Sequence, residues 1–126
     1  MLLRCRSICD QCAAGIEGAM PLSCMYISGA GPNYFMLIPP EGFAYTQGAP
    51  GRFTRPDKAD AVTRSFCATC GTHLTTHAPG LRHIVLKVGT LDPSVYDSPK
   101  MAIFCAEKQP YQIIPEGLPT YEALPG

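Results

Sequence analysis

A chain of 126 residues has the usual size of one domain, and a single core of that size buries enough apolar surface to fold alone. Lys plus Arg and Asp plus Glu stand at 10 each, and charged residues make up only 16%. That balance excludes a basic field able to neutralise many phosphates along a duplex, so nucleic acid is not an expected partner.

The opening Met1-Leu2-Leu3-Arg4-Cys5-Arg6 offers no apolar stretch before its charges, and no later segment approaches the roughly 18 consecutive apolar residues of a membrane span. The expectation is a cytoplasmic protein with no membrane partner and reduced cysteines. Thirteen Pro and 12 Gly interrupt the chain so often that no window sustains the apolar spacing of a long helix. A mainly β fold follows. In chain order the pattern predicts strands at 34–38, 43–46, 51–54, 62–66, 72–77, 83–88, 102–105 and 111–114. Pro39-Pro40-Glu41-Gly42 and Gln47-Gly48-Ala49-Pro50 are turn sequences, because Pro presets φ and Gly accepts positive φ, and they predict antiparallel meanders. Asp92 before Pro93 predicts one helical turn through Tyr96, with another near Tyr121. The Pro-rich end, 110–126, predicts a strap laid over the sheet.

Seven Cys exceed ordinary usage, which leaves a disulfide framework outside the cell or metal ligands inside it. An odd count fits complete disulfide pairing poorly. Phe66-Cys67-Ala68-Thr69-Cys70-Gly71-Thr72-His73-Leu74 sets a Cys-x-x-Cys between two predicted strands. Two residues between thiolates let a tight turn bring both sulfurs to about 2.3 Å from one tetrahedral metal, and Gly permits the backbone shape that turns N–H groups toward sulfur. A thioredoxin-like redox pair is the competing reading, but that motif opens a helix in a βαβ setting, which Gly71 and the β-rich sequence after it oppose. A structural zinc takes four ligands, and Cys9-Asp10-Gln11-Cys12 supplies a second pair, with Cys5 able to replace either member. Cys24 and Cys105 are isolated, and Cys105, in Ala102-Ile103-Phe104-Cys105, reads as a small buried hydrophobe. His73 and His77 are four apart on a predicted strand and should face the same side of the sheet, as satisfied side chains rather than ligands. His83 marks a strand entrance. No Ser, His and Asp arrangement or Gly-rich phosphate loop supports a hydrolase or kinase.

From about Tyr26 onward the chain resembles the family of glutathione-dependent formaldehyde-activating (GFA) enzymes and centromere protein V (CENP-V). The residues that carry the resemblance are Tyr26-Ile27-Ser28-Gly29, Pro40-Glu41-Gly42-Phe43, the run from Val62 to Leu74, and Lys87-Val88-Gly89-Thr90-Leu91-Asp92. The resemblance implies a β-tent domain of coiled antiparallel sheets, one domain over 1–126, stapled by a Cys-thiolate zinc site and matched well over 24–126 and poorly over 1–23. It implies two zinc sites. One is structural and here falls on Cys9, Cys12, Cys67 and Cys70. The other lies in an open pocket, uses a Cys-x-Cys-x-x-Cys triplet, and is where a thiol such as glutathione meets formaldehyde, which implies a carbon–sulfur lyase.

The chain departs from that pattern at the triplet. Aligned through Tyr26-Ile27-Ser28-Gly29, the triplet falls on Ala19, Pro21 and Cys24, so only Cys24 retains a thiol. A second register, on Ser7, Cys9 and Cys12, keeps two thiols but needs a long insertion and robs the structural site. Under the first register Cys24 is the candidate catalytic residue of a zinc-dependent enzyme acting on a thiol adduct such as S-hydroxymethylglutathione. The alternative is a non-catalytic zinc-stabilised binding domain that has lost the pocket zinc. A third expectation is that the segment before Cys24 reflects a misplaced start or a shifted reading frame.

Overall fold

The computed structural model describes residues 31–57, 59–92, 94, 95 and 98–123, and the backbone of 18–21. Seven strands form one sheet: β1 (Gly18–Pro21), β2 (Phe35–Ile38), β3 (Gly51–Thr54), β4 (Thr63–Phe66), β5 (His73–His77), β6 (Ile84–Lys87) and β7 (Met101–Ile103). Their order is β3-β4-β5-β6-β2-β1-β7, antiparallel throughout except for the parallel β1–β7 pair. The protein is mainly β. Among the described residues the only helical turns are 3-10, at Val88–Thr90 and Cys105–Glu107.

Breakers decide where each strand stops. Phe43 N–H donates to the Pro40 carbonyl at 3.2 Å with Gly42 at φ +88°, and Leu81 N–H donates to the Ala78 carbonyl at 3.1 Å with Gly80 at φ +79°. Both turns place Gly at the one position that demands positive φ. The first turn does not make a meander: β2 pairs with β6 and β1, while β3 lies at the far edge. The true meander is β3-β4-β5-β6. Opposite β3's first residue stands the Phe66 ring, and a Cβ on Gly51 would lie 2.5 Å from two of its atoms. Any larger residue there must displace the Phe66 ring.

One face of the sheet buries Met36, Ile38, Ile84 and Leu86, with Phe43, Val88 and Leu91 packed on them. The expected strand at 43–46 is this cover. Tyr45 takes part in a bridge, but Phe43 folds onto the apolar cluster, its ring meets the Tyr45 ring edge-on at 5.2 Å, and the Tyr45 hydroxyl bonds that of buried Thr75 at 3.1 Å. Alternating aromatic residues here make a lid rather than a ladder. A second cluster gathers Cys105, Ile114 and Leu118 around Ala102, so Cys105 packs against apolar neighbours but is only partly buried, short of the buried position expected.

The predicted strand at 111–114 is absent. Gln112 N–H donates to the Gln109 carbonyl at 3.0 Å, its Oε1 accepts from Gln109 N–H at 2.9 Å, and Lys108 Nζ donates to its carbonyl at 2.9 Å. That local turn uses backbone groups a ladder would need, and leaves Tyr111 and Ile113 exposed. β7 ends at Ile103 because Phe104 adopts a left-handed φ of 54°, rare for an aromatic residue. Beyond it the C-terminal segment runs alongside β7 rather than over the sheet: Ala102 N–H donates to the Pro119 carbonyl at 2.8 Å and Tyr121 N–H to the Ala102 carbonyl at 2.9 Å. These bonds also exclude the helical turn near Tyr121. At Asp92 the capping chemistry is present, Oδ1 accepting from Ser94 N–H at 3.0 Å, while Pro93 and Tyr96 lie outside the described residues.

Candidate metal centre

The β4–β5 connection is the best-defined chemical feature of the sheet. Cys67 follows directly on β4, and its N–H donates to the Thr72 carbonyl at 2.8 Å, closing the hairpin. Gly71 N–H donates back to the Cys67 carbonyl at 2.8 Å, with Gly71 at φ +75°. A Cβ on Gly71 would meet nothing within 4 Å, so the requirement for glycine is the backbone angle, not space. The loop carries both cysteines, Cys67 half-buried and Cys70 exposed. Cys70 Sγ lies 3.1 Å from the Thr72 hydroxyl, within hydrogen-bonding distance.

His73, the next donor along, turns away from this purpose. The β4–β5 register slips between Ser65 and Phe66, which pair with Thr75 and His73, so Leu74 is the extra residue of a bulge. The bulge breaks the alternation that would set His73 and His77 on one side. His73 Nε2 donates to the Thr75 carbonyl at 3.1 Å and lies 2.9 Å from the Thr76 hydroxyl, and Thr76 points to the face opposite His77. Burial, then the positive charge of Lys87, with a smaller push from Arg64, hold its pKa down to about 4, against the hydrogen bond at Thr75. The imidazole is neutral and satisfied, as expected. His83 immediately precedes β6, also as expected.

Of the residues expected at metal or in catalysis, Cys67 and Cys70 share one turn, while Cys9, Cys12 and Cys24, like Cys5, lie outside the described residues. Among the described residues no three His, Cys, Asp or Glu side chains gather at a common point. The donor set of the loop suits zinc: two thiols at knuckle spacing, a left-handed glycine after the second, and a hydroxyl beside sulfur. Thr72 and Arg64 stand in the sequence motif without an individual role; the closing bond of the hairpin gives Thr72 one, and the strand register places Arg64.

With this hairpin established, comparison with known families is decisive. The profile of the family described as glutathione-dependent formaldehyde-activating enzyme matches residues 9–107. The chain belongs to the GFA family. The matched range starts at Cys9, upstream of the motifs from Tyr26 onward, and contains Cys12, Cys24, Cys67 and Cys70. No match was found among curated proteins. Membership carries a function related to glutathione and formaldehyde at the level of the family. No helix among the described residues is long and apolar enough to cross a membrane.

Proposed function

We propose that this GFA-family chain is a single zinc-bound domain of the β-tent kind that acts on a thiol adduct such as S-hydroxymethylglutathione, with Cys9, Cys12, Cys67 and Cys70 as structural ligands and Cys24 in the reactive pocket. The observation that carries the reading is the Cys67–Thr72 loop, whose hydrogen bonds and left-handed Gly71 give the shape a two-thiolate knuckle needs. Bound zinc would cross-link this loop to the N-terminal pair and, at an open site, supply Lewis acidity. The loop's own contribution is to pre-arrange two sulfurs and shield one of them, with the Thr72 hydroxyl 3.1 Å from Cys70 Sγ. In the proposed reaction a thiol sulfur bonds to the carbonyl carbon of formaldehyde and the thiol proton passes to its oxygen. The lyase direction breaks the same C–S bond. A glutathione-sized thiol is the partner this chemistry asks for.

A second reading rests on the triplet positions. Ala19 and Pro21 lie on β1, paired with Met101 and Ile103 of β7, and neither side chain carries a metal donor. On that ground the domain would keep its structural zinc and bind without catalysing. Metal analysis of the purified protein separates the two: two zinc equivalents per chain support the enzyme, and one supports the binding domain. A Cys24→Ser variant that keeps its metal and any glutathione-dependent turnover sinks the catalytic role of Cys24.

A further inference from the structure

Arg64 sits in the middle of β4, between Phe53 of β3 and Thr76 of β5, and lines a cleft of about 120 Å³ with Phe53, Arg55, Asp60, Ala61 and Val62. Its Nε is shut off from solvent and has no hydrogen-bond partner, the one buried side-chain nitrogen or oxygen so placed among the described residues. A guanidinium offers five N–H donors and cannot shed its charge; Nε is enclosed, so an acceptor entering the cleft meets the terminal nitrogens of the group, for which Arg64 has no partner among the described residues. Two other described cations nearby are engaged elsewhere. Arg55 grips Asp57 with two bonds, at 3.0 and 2.6 Å, and Lys87 donates to Asn33 at 2.6 Å.

We propose that Arg64 is a carboxylate receptor, its planar guanidinium taking one carboxylate of a small ligand in the cleft against Phe53. The planar fork of arginine matches two carboxylate oxygens at once. Asp60 on the same cleft opposes further negative charge, which selects a single carboxylate over a phosphate dianion or a polyanion. Half-exposed Phe53, with Ala61 and Val62, offers apolar cover for the carbon chain that follows. If the thiol-handling reading above holds, and the assignment of the source rests on it, the carboxylate is one of glutathione's. A small carboxylate without a thiol is the other source of the same chemistry.

The experiment is a titration of the zinc-loaded chain, followed by calorimetry and by the Nε–H resonance of Arg64, with glutathione, S-methylglutathione, the diethyl ester of S-methylglutathione, and N-acetylglycine. The acids should move the Arg64 resonance and bind at least tenfold more tightly than the ester. Arg64→Gln should erase that ratio at unchanged zinc content, and Arg64→Lys should keep part of it, since charge survives but the fork does not. Glutathione binding unaffected by esterification and by Arg64→Gln overturns the receptor and leaves the thiol reading standing. Arg64-dependent binding of N-acetylglycine as tight as that of glutathione supports the receptor and removes the thiol as its source. Binding of none of the four overturns both. Should Arg64→Gln fail to fold, the acid-to-ester ratio on the native chain and Arg64→Lys still decide.

Discussion

His73 shows how little a histidine's position along the chain says about its chemistry. Four residues before His77, it should share that residue's face, yet the bulge at Leu74 turns it toward Thr76 and into the field of Lys87 and Arg64. With the folded pKa near 4, below the ordinary 6.5, the unfolded chain takes up this proton first as the pH falls. Its contribution to stability is therefore full above about pH 6.5, is lost between 6.5 and 4, and changes no further below. The side chain is only about half-buried, so solvent screening reduces the effect to about 1–2 kcal/mol. Urea unfolding at pH 7, 5.5 and 4.5 should show that loss in the native chain and a flatter profile in His73→Gln, which controls for acid release of thiolate-bound metal. Equal slopes for the two proteins would remove His73 from the account. The tight turn through Cys67, Cys70 and Gly71, in contrast, was readable from spacing alone, because its shape depends on adjacent dihedrals.

Strands that pair along the β3-β4-β5-β6 meander were readable to within a residue or so at each end, as short β-prone runs between loop and turn sequences. β2 and β7 were readable as well, β7 shifted by a residue or two, but β1 was not. β1 (Gly18–Pro21) is too short and too poor in β-formers to announce itself, and it is a strand because β2 and β7 flank it on both sides. The segments at 43–46 and 111–114 alternate as strands do, but one spends its aromatic residues on covering the Met36 cluster and the other closes a turn on Gln112. Pairing at the β3 edge depends on Gly51. Replacing it with Ala pushes Cβ into the Phe66 ring, and since a ring can shift more readily than backbone the cost is about 1–3 kcal/mol. Thermal unfolding should show Gly51→Ala lowered by several degrees, and the same change in a Phe66→Leu background should cost less. A Gly51→Ala protein as stable as the parent would mean that β3 does not pack as described.

Among the described residues the apolar core is thin. Seven apolar side chains are buried among the described residues: Met36, Ile38, Leu74, Ile84, Leu86, Ala102 and Ile103. Full burial of an aliphatic side chain contributes about 1.5–3 kcal/mol, so this core leaves little margin over the entropy of ordering the chain. A structural zinc held by Cys67, Cys70 and the N-terminal pair would change that balance, with apparent energies of roughly 10 kcal/mol or more in small zinc domains. Chelator treatment, or Cys70→Ala, should accordingly unfold the protein or lower its melting temperature by well over 10 °C. An unchanged melting curve after chelation would reject the structural zinc.

Family, strand content and the Cys67–Cys70 knuckle were accessible before any coordinates, for one physical reason: each rests on residues adjacent in the chain, where spacing and backbone preference act directly. Register is different in kind. A single extra residue at Leu74 reassigns every side chain on its side of the bulge, and the place of β2 beside β6 instead of β3 follows from long-range burial that no short window records. The unpartnered Nε of Arg64 belongs to that second class. It exists because Phe53 and Thr76 flank Arg64 in the folded sheet, and folding alone brings them there.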